Sequence, residues 1–299
     1  MNNLAQTLSR FLQKYFGSLW LVLVYLFLYA PLVFLIIFSF NSTKQDGVFT
    51  GFSTQWYYAL MNDSRLVSGF FLSLRVAVIT GTLSTILGTF AAFALVRYQR
   101  FRGRSLFSGL VSAPLVMPEV IIGMSLMLLM KTVQRMIGWP ESGGMTIVIG
   151  HTLLGMAYAT VVISARLQVM DRTIEEAAMD LGCRPGQVFF LVTLPNILPS
   201  LIAAWMLTFT LSFDDVVISE SLSGPTVTTL PQVIFGYARR GVNPSIYAAA
   251  TLLILTVSMG IIAYGVLTVR GQMRREREMR AAERTEIVSV EAAAFRPAK

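Results

Sequence analysis

Apolar residues gather along this chain in long runs near residues 18–40, 70–96, 106–130, 145–165, 197–218 and 247–269, with short polar stretches between them. A hydrocarbon core of about 30 Å is crossed by roughly 20 helical residues, so each run has the length of a membrane span. Six helices is the economical count. The one polar stretch with a pattern of its own lies between the fourth and fifth runs, over residues 173–195.

Composition agrees with the runs. With 299 residues, 55% hydrophobic and 13% charged, the chain is too apolar for a soluble domain and too poor in charge for disorder. It reads as an all-α integral membrane protein. The first run is too long for a signal-peptide core and no small-residue cleavage site follows it, so it is expected to stay as an anchor. Ahead of it, Leu4, Leu8, Phe11, Leu12 and Tyr15, interleaved with Arg10 and Lys14, suit a short helix over residues 1–17 lying in the membrane interface. The six-helix domain then covers 18–270. Residues 271–299 form a tail of alternating charge, expected to be a helical extension that frays into disorder. The first outer connection, Asn41 to Gly69, carries Trp56, Tyr57 and Tyr58, which suit an interfacial aromatic belt or a contact with a receptor protein.

The placement of Lys and Arg sets an orientation. Arg10 and Lys14 precede the first run; Arg97, Arg100, Arg102 and Arg104 fill the second connection; Arg166, Arg172 and Arg184 fill the fourth; a further cluster from Arg270 to Arg284 follows the last. The opposite side has Lys44, Arg65, Lys131, Arg135, Arg239 and Arg240, with Arg75 near the outer end of the second run. By the positive-inside rule both termini and the 173–195 loop are cytoplasmic. The formal charge of +8 therefore reports topology and attraction to anionic lipid, and no nucleic-acid motif accompanies it.

In the loop, Thr173 with Glu176 three residues on has the capping-box arrangement, which starts a helix near Ile174. Ala177 and Ala178 are small enough for another surface to approach, and Gly182 suits a left-handed helix end. Pro185 fits the first turn of a second short helix. Val188, Phe189, Phe190 and Leu191 are expected to pack back onto the membrane part. An exposed handle for a partner results, unless the segment is an ordinary amphipathic connector.

Carboxylates within spans cost about 2.5 to 3.5 kcal/mol each at the bilayer centre, so each needs a reason. Glu119 follows Pro114 and Pro118 in the third run; Asp214 and Asp215 follow the four-residue stripe Trp205, Phe209, Phe213 in the fifth. At about 1.5 Å per residue both positions fall in the outer half and would border one cavity. Carboxylates beside aromatic rings suit a diffuse organic cation. A second reading stays open: the aspartates mark the wet end of their span, Glu119 caps a proline-broken helix, and the stripe is packing. The single His151 and single Cys183 have no partner legible in the sequence and read as structural, with no metal site and no catalytic group. No Walker A loop is present, so ATP hydrolysis by that route belongs elsewhere.

The loop pattern Glu176-Ala177-Ala178, three residues, Gly182, nine residues, Val192-Thr193-Leu194-Pro195 resembles the EAA motif of importer-type ABC permeases, with Val192 at the usual Ile position. Ser212-Phe213-Asp214-Asp215, Ser223-Gly224-Pro225, Thr228-Thr229-Leu230-Pro231 and Arg240-Gly241-Val242-Asn243-Pro244 are similar to the second permease subunit of bacterial spermidine/putrescine importers. The resemblance implies a type I ABC importer permease fold in the inner membrane, paired with a related permease. It also implies two cytoplasmic ATPase subunits that hold the ATP and Mg, and a periplasmic polyamine-binding protein. Under it, Glu176, Ala177, Ala178, Gly182, Leu194 and Pro195 dock the ATPase, and this chain holds no cofactor. Two alternatives remain: an ABC permease for another small solute, against whose being an anion the carboxylates argue, and a stand-alone ion-coupled transporter.

Overall fold

Every regular element among the described residues is helical. The computed structural model describes residues 2–43, 48–98, 100–225, 227–240 and 244–256, scattered helical positions up to 273, and side chains from residue 16 onward. The chain divides into two units, residues 1–58 with 243–299, and residues 59–242.

In the first unit, α1 runs unbroken over Asn2–Phe38, so the amphipathic start and the first apolar run share one helix. Phe16–Phe38 is long and apolar enough to cross a membrane. After it the chain folds onto itself. Trp56 is buried and its Nε1 donates to the Asn41 carbonyl at 2.6 Å, while the Tyr57 hydroxyl lies 2.8 Å from Ser39 Oγ. Only Tyr58 of the three aromatics is exposed. A buried indole N–H needs an acceptor, and the turn after α1 supplies one. An apolar helix covers Pro244–Gly260; the remainder of the sixth run and nearly all of the tail lie outside the described residues.

The second unit starts in α2 (Gln55–Asn62) and continues through α3 (Ser64–Arg97), α4 (Arg104–Val116), α5 (Glu119–Ile137) and α6 (Gly144–Val169). Then come α7 (Thr173–Asp180), α8 (Pro185–Val188), a π-helical turn (Phe189–Thr193), α9 (Leu194–Asp214), α10 (Val217–Leu222) and α11 (Leu230–Arg240). Its frame is α3, α6 and α9, which pack on one another. Helices in lipid gain little from apolar burial and associate instead through close backbone approach at small residues. Gly88 of α3 shows this: a Cβ there would stand 2.6 Å from the Ala159 Cβ of α6. Ala92, Ala159, Ile163, Leu167, Ile197 and Ala204 fill one end of the frame. Val76, Ile122, Ile147, Leu154, Ile218 and Leu222 form a second cluster among α3, α5, α6 and α10.

Two spans differ from their sequence boundaries. The run 106–130 is not one helix: α4 stops at Val116 and α5 starts at Glu119. Met117 is extended (φ −80°, ψ 140°), because the ring of Pro118 disfavours the helical region for the residue before it. Only α5 of this pair is long enough to span. The fifth span is a single rod over Pro185–Asp214, since α8, the π turn and α9 are continuous, and it ends at Asp214 rather than 218. Together with Phe16–Phe38, α3, α5 and α6 it makes five helices of spanning length among the described residues.

Candidate docking element and membrane cavity

The polar loop forms two capped turns. Thr173 is the first residue of α7, not its cap; the Asp171 carboxylate accepts the Thr173 N–H at 3.0 Å. That bond and the Thr173 hydroxyl hold the Asp171 carboxyl below its usual range. The N–H groups of Glu175 and Glu176 both turn to the Arg172 carbonyl at 3.0 Å, so the expected Thr173–Glu176 capping box does not form. At the other end Gly182 has φ +90°. Its N–H donates to Met179 O at 2.9 Å and the Cys183 N–H to Ala178 O at 3.1 Å, the paired bonds of a Schellman end. Cys183 is a free, half-buried thiol in that turn.

Among the docking candidates, Glu176, Ala177, Gly182 and Pro195 are exposed, while Ala178 and Leu194 are half-buried. Leu181, beside Gly182, is 87% exposed. Glu175 faces the other way. Its Oε1 accepts from Arg97 Nη2 at 3.0 Å and from Thr193 Oγ1 at 2.7 Å. Arg172 Nη2 donates to the Val96 carbonyl at 2.9 Å. Val188 is buried and Phe189 meets Phe93 edge to face at 5.3 Å, whereas Phe190 and Leu191 are exposed. Four consecutive helical residues point around the axis, so only part of that apolar group can pack inward. Pro195 has no N–H to give, and the helix widens into the π turn just before it; the Leu194 N–H reaches back to Phe189 O.

The three candidate carboxylates line one cavity of about 350 Å³, whose wall also includes His151, Leu154, Thr208, Leu211 and Ser212. Glu119 is the first residue of α5 and Asp214 the last of α9, so the proline break and the end of the fifth span bring them together. Asp215 differs from the other two. Its Oδ2 accepts the Ser219 N–H at 2.7 Å and stands 3.0 Å from His151 Nε2, and its Oδ1 lies 3.3 Å from the Ile218 nitrogen. It caps α10 and holds the imidazole. His151, read from the sequence as partnerless, also meets Ser212 Oγ through Nδ1 at 2.7 Å and Ser219 Oγ through Nε2 at 3.2 Å. No hydrogen bond or ion pair to another side chain joins the Glu119 or Asp214 carboxyl among the described residues.

The aromatic stripe does not line this cavity. Trp205, Phe209 and Phe213 stack in series at 5.2 and 5.8 Å. They turn toward α3, where Trp205 Nε1 donates to Thr82 Oγ1 at 3.2 Å and Phe213 meets Phe70 edge to face. No cluster of His, Cys, Asp and Glu suited to a metal occurs among the described residues.

Residues 84–270 match the family model described as "binding-protein-dependent transport system inner membrane component". The putrescine transport system permease protein PotI of Escherichia coli (strain K12) is 49% identical over 88% of this chain and 94% of its own length. The spermidine/putrescine transport system permease protein PotC of Haemophilus influenzae is 34% identical over 88% of this chain and 98% of its own. In fold, the chain is similar to a subunit of a bacterial ABC transporter that imports the acidic polysaccharide alginate, with TM-score 0.66 and 16% identity over 87% and 96% of the two chains. It is also similar to one of the MetNI methionine ABC transporter, with TM-score 0.53 and 19% identity over 69% and 95%. The fold is that of type I ABC importer permeases, and the chain belongs to the family of binding-protein-dependent transport system inner membrane components, multi-pass permeases of ABC importers.

Proposed function

We propose that this chain is one permease subunit of an ATP-driven polyamine importer, forming half of the translocation path beside a related permease. The observation that carries the reading is the near full-length similarity to putrescine and spermidine/putrescine permeases. Both termini and the α7 loop lie on the cytoplasmic side in this reading, as the Arg distribution implies, and residues 247–269 complete a sixth span. Two ATPase subunits bind and hydrolyse ATP with Mg, and a periplasmic binding protein delivers the amine. The face with exposed Glu176, Ala177 and Gly182 and half-buried Ala178, together with Leu194 and Pro195 at the base of α9, is the surface that docks one ATPase. Closure of the ATPase pair moves α7 and switches the spans between outward-open and inward-open states.

Within the cavity, Glu119 and Asp214 are the carboxylates that meet the cargo, because Asp215 is already engaged. Two separated carboxylates suit a chain with ammonium groups at both ends, by charge pairing in a partly dry site. The test is ATPase activity of the complex captured on this chain and reconstituted in lipid, with and without putrescine- or spermidine-loaded binding protein. Stimulation by the loaded protein is expected. An active ATPase indifferent to both amines would replace the cargo, and a capture without ATPase would overturn the reading.

A further inference from the structure

We propose that Glu175 and Arg97, with Thr193, form the joint through which movement of α7 reaches the membrane-spanning helices α3 and α9. This rests on the reading of α7 as the ATPase-docking helix. Two neighbouring glutamates then divide the work: Glu176 is exposed to a partner, and Glu175 grips the spans.

The joint is polar because apolar packing holds α7 only weakly: none of its residues is buried. Glu175 Oε1 instead takes two donors at once, Arg97 Nη2 at 3.0 Å from the last residue of α3 and Thr193 Oγ1 at 2.7 Å from the turn that enters α9. Arg172, just ahead of α7, adds a third tie to the α3 end through Val96 O at 2.9 Å. The Arg97 and Glu175 side chains are 9% and 13% exposed. A charge pair shielded from water is directional and strongly penalised when separated. Apolar contacts lack that directionality, and lipid tails can replace them. Arg97 raises the stakes, since its buried Nε has no hydrogen-bond partner among the described residues; without Glu175 the guanidinium would lose its anion as well.

The geometry therefore separates docking from transmission. Loss of Glu176 or Gly182 changes the surface offered to the ATPase. Loss of Arg97 or Glu175 leaves that surface in place and loosens its connection to two spans on which the frame is built.

The experiment uses the full complex in proteoliposomes with loaded binding protein, comparing Arg97→Ala, Glu175→Gln, Thr193→Val and the exchange Arg97→Glu with Glu175→Arg. ATPase co-purification, ATP hydrolysis and amine uptake are measured on each. Arg97→Ala is expected to keep the ATPase bound and hydrolysing while uptake per ATP falls about tenfold. Glu175→Gln, which keeps an acceptor and loses the charge, and the isosteric Thr193→Val should each fall by about threefold. The exchanged pair should recover a measurable part of the Arg97→Ala loss, which a purely structural role in folding would not predict for uptake per ATP. Unchanged uptake per ATP in Arg97→Ala and Thr193→Val overturns the joint while leaving the importer intact. If Arg97→Ala fails to assemble, Thr193→Val and Glu175→Gln decide by the same ratio. A wild-type chain that captures no ATPase overturns the function and the joint with it.

Discussion

His151 Nε2 lies 3.0 Å from Asp215 Oδ2 across the wall of the cavity, joining the first third of α6 to the segment just ahead of α10. An ionised carboxylate only accepts, so in this pairing Nε2 carries the proton, and Nδ1 is left to meet Ser212. Asp215 is thereby fixed from three sides, while Asp214 next to it is not. Adjacent aspartates lining the same cavity thus differ in what holds them.

That difference is measurable. Asp215→Ala removes one partner of a buried pair and uncaps α10, so it should destabilise the chain by about 3 kcal/mol, read as a fall in the Tm of the purified complex. His151→Ala should do the same to a lesser degree. Asp214→Asn and Glu119→Gln should change stability by no more than about 0.5 kcal/mol, leaving Tm near that of wild type, and lower amine uptake about tenfold. Unaltered uptake in both would remove them from the path.

Gly182 has φ +90° with open space where a side chain would sit, so the cost of substituting it is conformational and not steric. A β-branched residue at that angle is strained by about 1–2 kcal/mol, and Asn by less. Gly182→Val should therefore fray the end of α7 and lower ATPase co-purification several-fold, with Gly182→Asn intermediate. Equal capture by all three would detach the turn from docking.

Asp171 supplies the pH dependence. Its folded pKa is lowered from the ordinary 3.8 by the Thr173 N–H and hydroxyl, so its contribution is present above the unfolded value and is lost as pH falls through the folded one. Amide exchange protection at the start of α7 should show no titration by this group between about pH 5 and 8, and should weaken only below about pH 4. Asp171→Ala should speed that exchange about fivefold at neutral pH. A titration of the cap near pH 6 would contradict the Asp171–Thr173 bond.

Much of the helical architecture was legible because long apolar runs are a coarse signal. The left-handed end at Gly182 was legible too, since few residues other than glycine take that conformation. The break at Met117–Pro118 was harder: two prolines in an apolar run are compatible with a kink or a stop, and the backbone of Met117 decides. The grip of Glu175 had no sequence signal, because Arg97 and Thr193 are 78 and 18 residues away. The same holds for His151, whose partners Ser212 and Asp215 lie 61 and 64 residues on. The Trp205 stripe was readable as a face but not as facing α3, since periodicity finds a stripe and only packing says what meets it.

The π turn at Phe189–Thr193 sets a phase. A turn closed by i→i+5 bonds holds one residue more than an α turn, which on a helix of 3.6 residues per turn is a rotation of about 100°. The docking end and the cavity end of the rod Pro185–Asp214 therefore keep separate angular registers. Deleting one residue between Phe190 and Val192 would leave the side chains of both ends intact and yet swing one about a quarter-turn against the other, so that Val188 and Phe189 no longer packed against the spans while Asp214 faced the cavity.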